Sequence, residues 1–195
     1  MIEITFRKCR ICFHFSFFTA VSLLMLCSES VYALYSLYAC LLHECGHLLM
    51  MFAAGHRIKK LVFYGAGIKI VPQNNCEAIN FTHQLMILSS GCAVNFALFA
   101  LLKGTGGGAE VFGIVNLAVG MFNIMPLDFL DGGKLMVLFF YRFMEYEKAA
   151  AAEKCLRGIN IIMVPCAAVL LYAVGVRNFT VYVTLIFLLF TSVLI

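Results

Sequence analysis

Charge is what this chain has least of. Asp, Glu, Lys and Arg together make up 12% of its 195 residues, against 63% hydrophobic. A soluble domain of this size has no use for so much apolar surface. The net charge of +4 is small and spread along the chain, with no basic stripe, which argues against nucleic acid as a partner. A small-residue cleavage site is also missing behind the first apolar run, so that run is expected to stay as an anchor. Nor is there length left for an appended soluble domain, and residues 1–195 are expected to form one unit. With a mean hydropathy of +0.97, the class that remains is an all-α polytopic membrane protein. Its nine cysteines do not change this, because most lie in apolar runs where Cys behaves as a small hydrophobe. The one close pair, Cys9-x-x-Cys12 beside Arg7, Lys8 and Arg10, reads as incidental.

Taken in order, the apolar runs predict about six spans. These are Ile11–Cys27, Val31–Ala54, His83–Leu102, a fourth from Val111 that Pro126 should break or kink, Ile159–Val176 and Phe179–Ile195. Lys134–Phe143 reads as a continuation or half-helix of the fourth, and Met144–Gly158 as a charged, alanine-rich linker. Lys103 to Glu110 is glycine-rich and predicts a flexible loop. Within the basic stretch Gly55–Asn80, Leu61–Val71 is rich in strand formers and interrupted by Gly65 and Gly67. It predicts a small membrane-proximal hairpin or edge strand. Every Lys and Arg except Lys103 and Arg177 falls in 1–10, 55–80 or 134–158, which on this layout share one side of the bilayer. Basic loops stay inside, so the chain is expected in the cell membrane with both termini cytoplasmic.

Inside the second apolar run lies His43-Glu44-Cys45-Gly46-His47. On a helix the two histidines project from one face about a turn apart and can grip one metal ion. Glu44, on a neighbouring face, can take a proton from water at that ion, the His-Glu-x-x-His logic of zinc hydrolases. Ionisable groups are costly at membrane depth, so they are functional candidates there; the plainer alternative is polar groups paired between helices. His14, His56 and His83 sit near expected interfaces and read as surface or anchoring residues. A catalytic zinc site wants a third protein ligand. Asp131, followed by Gly132 and Gly133, is the leading candidate and Asp128 its competitor. Asp131 would serve equally as the cap of a short helix near Lys134.

His43-Glu44-x-x-His47 followed by Asn123-x-x-Pro126-x-x-x-Leu130-Asp131-Gly132-Gly133 resembles the site-2 protease family of intramembrane zinc metalloproteases. The likeness covers about residues 10–145, leaving 159–195 as extra C-terminal spans. It implies one zinc per chain, held by His43, His47 and Asp131, with Glu44 as the catalytic acid–base. Gly91-Cys92-Ala93-Val94-Asn95 resembles the family's Gly-Pro-x-x-Asn with Cys92 for proline, and implies that Asn95 positions the substrate backbone or the developing oxyanion. The absence of a PDZ insert, and Ile11-Cys-Phe-His14, resemble the compact sporulation-type branch, whose usual CBS domain is not expected here. The implied function is regulated intramembrane proteolysis: cleavage of a transmembrane or membrane-proximal segment of a protein substrate, under an inhibitory or regulatory membrane partner. A catalytically silent partner-binding protein is the alternative. A metal transporter would spread polar groups along a path, and no span downstream of Glu110 offers a glutamate ligand.

The orientation is checked by tag accessibility in intact cells. Tags at both termini should be protected from external label, and labelling of both would overturn the layout.

Overall fold

The structure is a computed structural model. It describes residues 2–6, 9–15, 17–18, 21–22, 31–56, 58–64, 67–72, 80–128, 130–175, 182 and 185–186. They divide into two compact units, Met1–Met121 and Phe122–Ile195.

The first unit combines a mixed sheet with helices. Strands β1 (Ile2–Phe6) and β2 (Cys9–Phe13) pair antiparallel, from Ile2↔Phe13 to Phe6↔Cys9. Helix α1 (Val31–Ala53) follows, then β3 (Ile58–Tyr64) and β4 (Gly67–Pro72), antiparallel to each other. β2 and β3 pair in parallel, Arg10↔Lys60 to Phe13↔Phe63, which closes a four-stranded sheet in the order β1-β2-β3-β4. Parallel strands need a long connection, and here it contains α1. Phe13 and Phe63, directly opposite, stack with ring centroids 4.5 Å apart.

The hairpin expected at Leu61–Val71 is therefore present, but the β element is larger than expected. Residues 11–13, read as the start of the first span, are strand instead. The reason is not local: Ile11, Cys12 and Phe13 pair with Ile4, Glu3 and Ile2 on one side and with Leu61, Val62 and Phe63 on the other, partners that a reading of one apolar run does not reveal. The rest of that expected span lies largely outside the described residues.

Helices α2 (Phe81–Leu102) and α3 (Gly107–Asn123) complete the unit, α3 running two residues past its boundary. Between them the chain turns through Gly104 and Gly106, both at positive φ, and α3 starts earlier than the expected loop would allow. The buried residues of α1 are Ala33, Ala39, His43, Gly46, His47 and Met51, one stripe at helical spacing. That stripe meets α2 where both helices are thinnest. A Cβ on Gly46 would stand 2.8 Å from the Ser90 carbonyl oxygen and 3.1 Å from the Gly91 Cα. Small residues at a crossing let membrane-type helices approach closely, and van der Waals contact then supplies the attraction. α3 does the same with Gly113, Asn116 and Gly120; a Cβ on Gly120 would meet the Phe96 ring at 2.8 Å.

In the second unit the helix ladder stops at Asn123, upstream of Pro126 as expected. The chain then reverses through short turns, Leu127 N–H to Met125 O at 2.8 Å and Leu130 N–H to Leu127 O at 2.9 Å. It enters α4 (Asp131–Phe143), and α5 (Tyr146–Ala173) packs against α4. Met144–Gly158, expected as a linker, is mostly helix. Its alanines and long charged residues are strong helix formers, and Glu153 lies 3.9 Å from Arg157 one turn on. Tyr141 of α4 donates to Glu153 of α5 at 2.8 Å, and this hydrogen bond to a carboxylate pushes the phenol pKa up.

Among the described residues, three helices are long and apolar enough to cross a membrane: Val31–Ala53, Phe81–Leu102 and Tyr146–Ala173. Of the other expected spans, α3 has 17 residues, and Phe179–Ile195 lies outside the described residues apart from Tyr182, Leu185 and Ile186.

Two glycine substitutions should act in opposite directions. A Cβ on Gly132 would collide with the backbone of Ile124, so Gly132→Ala should destabilise by about 1–3 kcal/mol. Gly158, exposed on α5 with nothing within 4 Å, should gain about 0.5–1 kcal/mol as alanine. Thermal melting of the detergent-solubilised protein checks both signs.

Candidate functional site

His43 and His47 lie on the buried stripe of α1, 4% and 7% exposed, with ring centroids 4.8 Å apart and planes at 84°. Each ring is held from its Nδ1 side. His47 Nδ1 stands 2.7 Å from the carbonyl oxygen of Ile87 on α2, and His43 Nδ1 stands 2.7 Å from Asn95 Oδ1. Both partners accept only, so in the neutral rings both Nδ1 atoms carry the proton. The two Nε2 lone pairs then face each other at 3.2 Å. Without a proton or cation between them that arrangement is repulsive, and the surroundings are too apolar to screen it. The pair is built to share something positive.

Gly91 shapes the space around those nitrogens. A Cβ there would stand 2.5 Å from His47 Nε2 and 2.7 Å from His43 Nε2. The next residue, Cys92, is buried, and α2 runs through it without interruption.

Glu44 lies between the histidines in sequence and about 100° round the axis from His43. It is half-buried where they are buried. Asn95, expected at the substrate or the oxyanion, is fully buried, and its Nδ2 donates to Ala39 O at 3.2 Å and to Asn116 Oδ1 at 3.0 Å. An oxyanion would have to take one of those two hydrogens. Asn116 escaped the reading of the sequence altogether. An amide inside the apolar run Val111–Met121, on one stripe with Gly113 and Gly120, was the signal available.

In the second unit Asp131 is the first residue of α4 and is 6% exposed. Leu130, not Asp131, occupies the cap position, so the capping alternative does not hold. The carboxylate sits at the N-terminal end of α4, with the half-exposed Lys134 Nζ 3.4 Å from Oδ1. Asp128 has other commitments: Asn160 Nδ2 lies 3.4 Å from Oδ1, and Arg157 Nε lies 3.8 Å from Oδ2. His43, His47 and Asp131 thus supply two imidazoles and one carboxylate, all buried, a donor set that suits a divalent metal ion. For the two imidazoles of the first unit, the 3.2 Å approach of their Nε2 atoms is the observation that fits them to such an ion.

No protein-family model matches the sequence, and no curated protein sequence does. Among solved structures the chain is similar to a site-2 protease from Methanocaldococcus jannaschii, at 19% identity and a TM-score of 0.67, over 98% of this chain and 93% of that one. The chain therefore has the fold of a site-2 protease. The likeness does not single out the sporulation-type branch.

Gly91→Ala tests the space around the histidines. Its methyl group would displace both imidazoles, so divalent-metal affinity should fall roughly 10–100-fold while helix content stays unchanged. Chelator competition and circular dichroism measure the two; unaltered affinity would mean the rings have room to yield.

Proposed function

We propose that the chain is a zinc-dependent intramembrane endopeptidase of the site-2 protease family, acting on a transmembrane or membrane-proximal segment of another protein. The observation that carries the reading is the pair of His43 and His47 Nε2 lone pairs facing each other at 3.2 Å in a chain of this fold. In this reading His43, His47 and Asp131 hold one zinc. Asp131 is favoured over Asp128 because the Asp128 carboxylate already serves Asn160 and Arg157.

When bound, zinc supplies a Lewis acid and brings the pKa of a coordinated water towards about 7. Glu44 accepts the proton from water and returns it to the leaving amine as the peptide bond breaks. A substrate helix must unwind locally first, because in lipid its carbonyls are all engaged in hydrogen bonds. The β4 edge of the sheet offers backbone groups with which an unwound segment can pair. Lipid surrounds the long apolar helices, both termini lie in the cytoplasm, and an inhibitory or regulatory membrane partner controls access.

The test is zinc content of the detergent-purified chain. About one zinc per chain is expected in the wild type and in Asp128→Ala, with a sharp loss in Asp131→Ala. Zinc retained in Asp131→Ala would overturn the ligand set. A well-folded wild type without zinc would favour a catalytically silent, partner-binding protein. Glu44→Gln should keep the metal yet lower cleavage of a membrane substrate roughly 10²–10⁴-fold.

A further inference from the structure

Two fully buried asparagines on neighbouring helices form a continuous chain with His43, and its direction can be read from its ends. Asn116 Nδ2 donates to the carbonyl oxygen of Phe112, one turn back on α3, at 2.9 Å. Asn116 Oδ1 is thereby turned towards α2, where it accepts from Asn95 Nδ2 at 3.0 Å. The other hydrogen of Asn95 Nδ2 goes to the Ala39 carbonyl of α1 at 3.2 Å. What remains of Asn95 is its oxygen, 2.7 Å from His43 Nδ1.

Which way an amide points is ordinarily an assignment made from its network. Here the network leaves one solution, because both ends are main-chain carbonyls and carbonyls only accept. Reversing Asn95 alone would set its oxygen against Ala39 O and Asn116 Oδ1. Reversing both amides would set Asn116 Oδ1 against Phe112 O and still leave Asn95 Oδ1 against Ala39 O. Each is a pair of oxygens without a proton, buried where water cannot relieve it. Both residues have 0% exposure.

We infer that Asn116 and Asn95 are positioning residues that lock His43 in its Nδ1-protonated tautomer, so that Nε2 is presented as a bare donor to a metal ion. The Phe112 and Ala39 carbonyls fix the polarity, Asn116 transmits it, and Asn95 delivers it to the ring. An imidazole held this way loses none of its population to the wrong tautomer, and its ring plane is fixed as well. The inference rests on the proposed metal site for its purpose, but the tautomer itself can be read without metal.

The experiment uses the full chain in detergent, labelled with ¹⁵N-histidine, with zinc removed by chelator at about pH 9, above the ordinary histidine range. His43→Gln assigns the resonances. The wild type should show His43 with Nδ1 protonated and Nε2 bare. Asn116→Leu, which removes the acceptor for Asn95, should give a mixed tautomer and a roughly 10–100-fold loss of zinc affinity. A wild-type His43 carrying its proton on Nε2 overturns the inference, whether or not the leucine variant folds. So does a folded Asn116→Leu chain with unchanged tautomer and unchanged zinc affinity. A wild type with the expected tautomer that binds no zinc would sink the metal site while leaving the lock in place.

Discussion

Two lone pairs cannot face each other in an apolar interior unless something positive lies between them. That constraint at His43 and His47 organises much of the first unit. The rings must be buried, or water would satisfy the lone pairs instead. Their Nδ1 atoms must be spoken for, or the lone pairs would turn away. α2 meets both demands by supplying one main-chain carbonyl, from Ile87, and one side-chain oxygen, from Asn95. Neither would be within reach if the helices stood at the separation that larger side chains impose. Gly46 and Gly91 are therefore part of the site without offering it any polar atom.

In the second unit Asp131 is the buried first residue of α4, and Lys134 Nζ lies 3.4 Å from its Oδ1. Asn160 and Arg157 of α5 lie against Asp128 instead. Two acidic residues three apart thus have different surroundings, Asp128 facing α5 and Asp131 at the start of α4. Gly132 and Gly133 let the preceding loop fold back across the start of α4, since a Cβ on either would enter that loop's backbone.

Much of this was legible in the sequence where a short-range rule applied. The four-residue spacing of His43 and His47 predicts one face of a helix, and they share one. Pro126 predicts the end of α3, and the strand formers of Leu61–Val71 predict the hairpin found as β3 and β4. Asp131 was distinguished from Asp128 by family resemblance alone; the Asn160 hydrogen bond and the Arg157 ion pair that set Asp128 apart join residues distant in sequence. The same limit hid the β2–β3 pairing and the role of Asn116, whose partner Asn95 lies on another helix. Met144–Gly158 was misread for another reason. Its charges suggested a solvated linker, but alanine and long polar residues are as content in a helix that runs out of lipid into water.

The mixed order of the sheet has a consequence for how the chain is made. The β1–β2 hairpin joins neighbours in sequence and can close as soon as its residues leave the ribosome. Its union with β3, by contrast, pairs Arg10 with Lys60 and must wait until α1 and β3 have both been synthesised. Completion of the sheet is thus a late event in biogenesis, and it ties the segments before and after the helix that carries both histidines to each other.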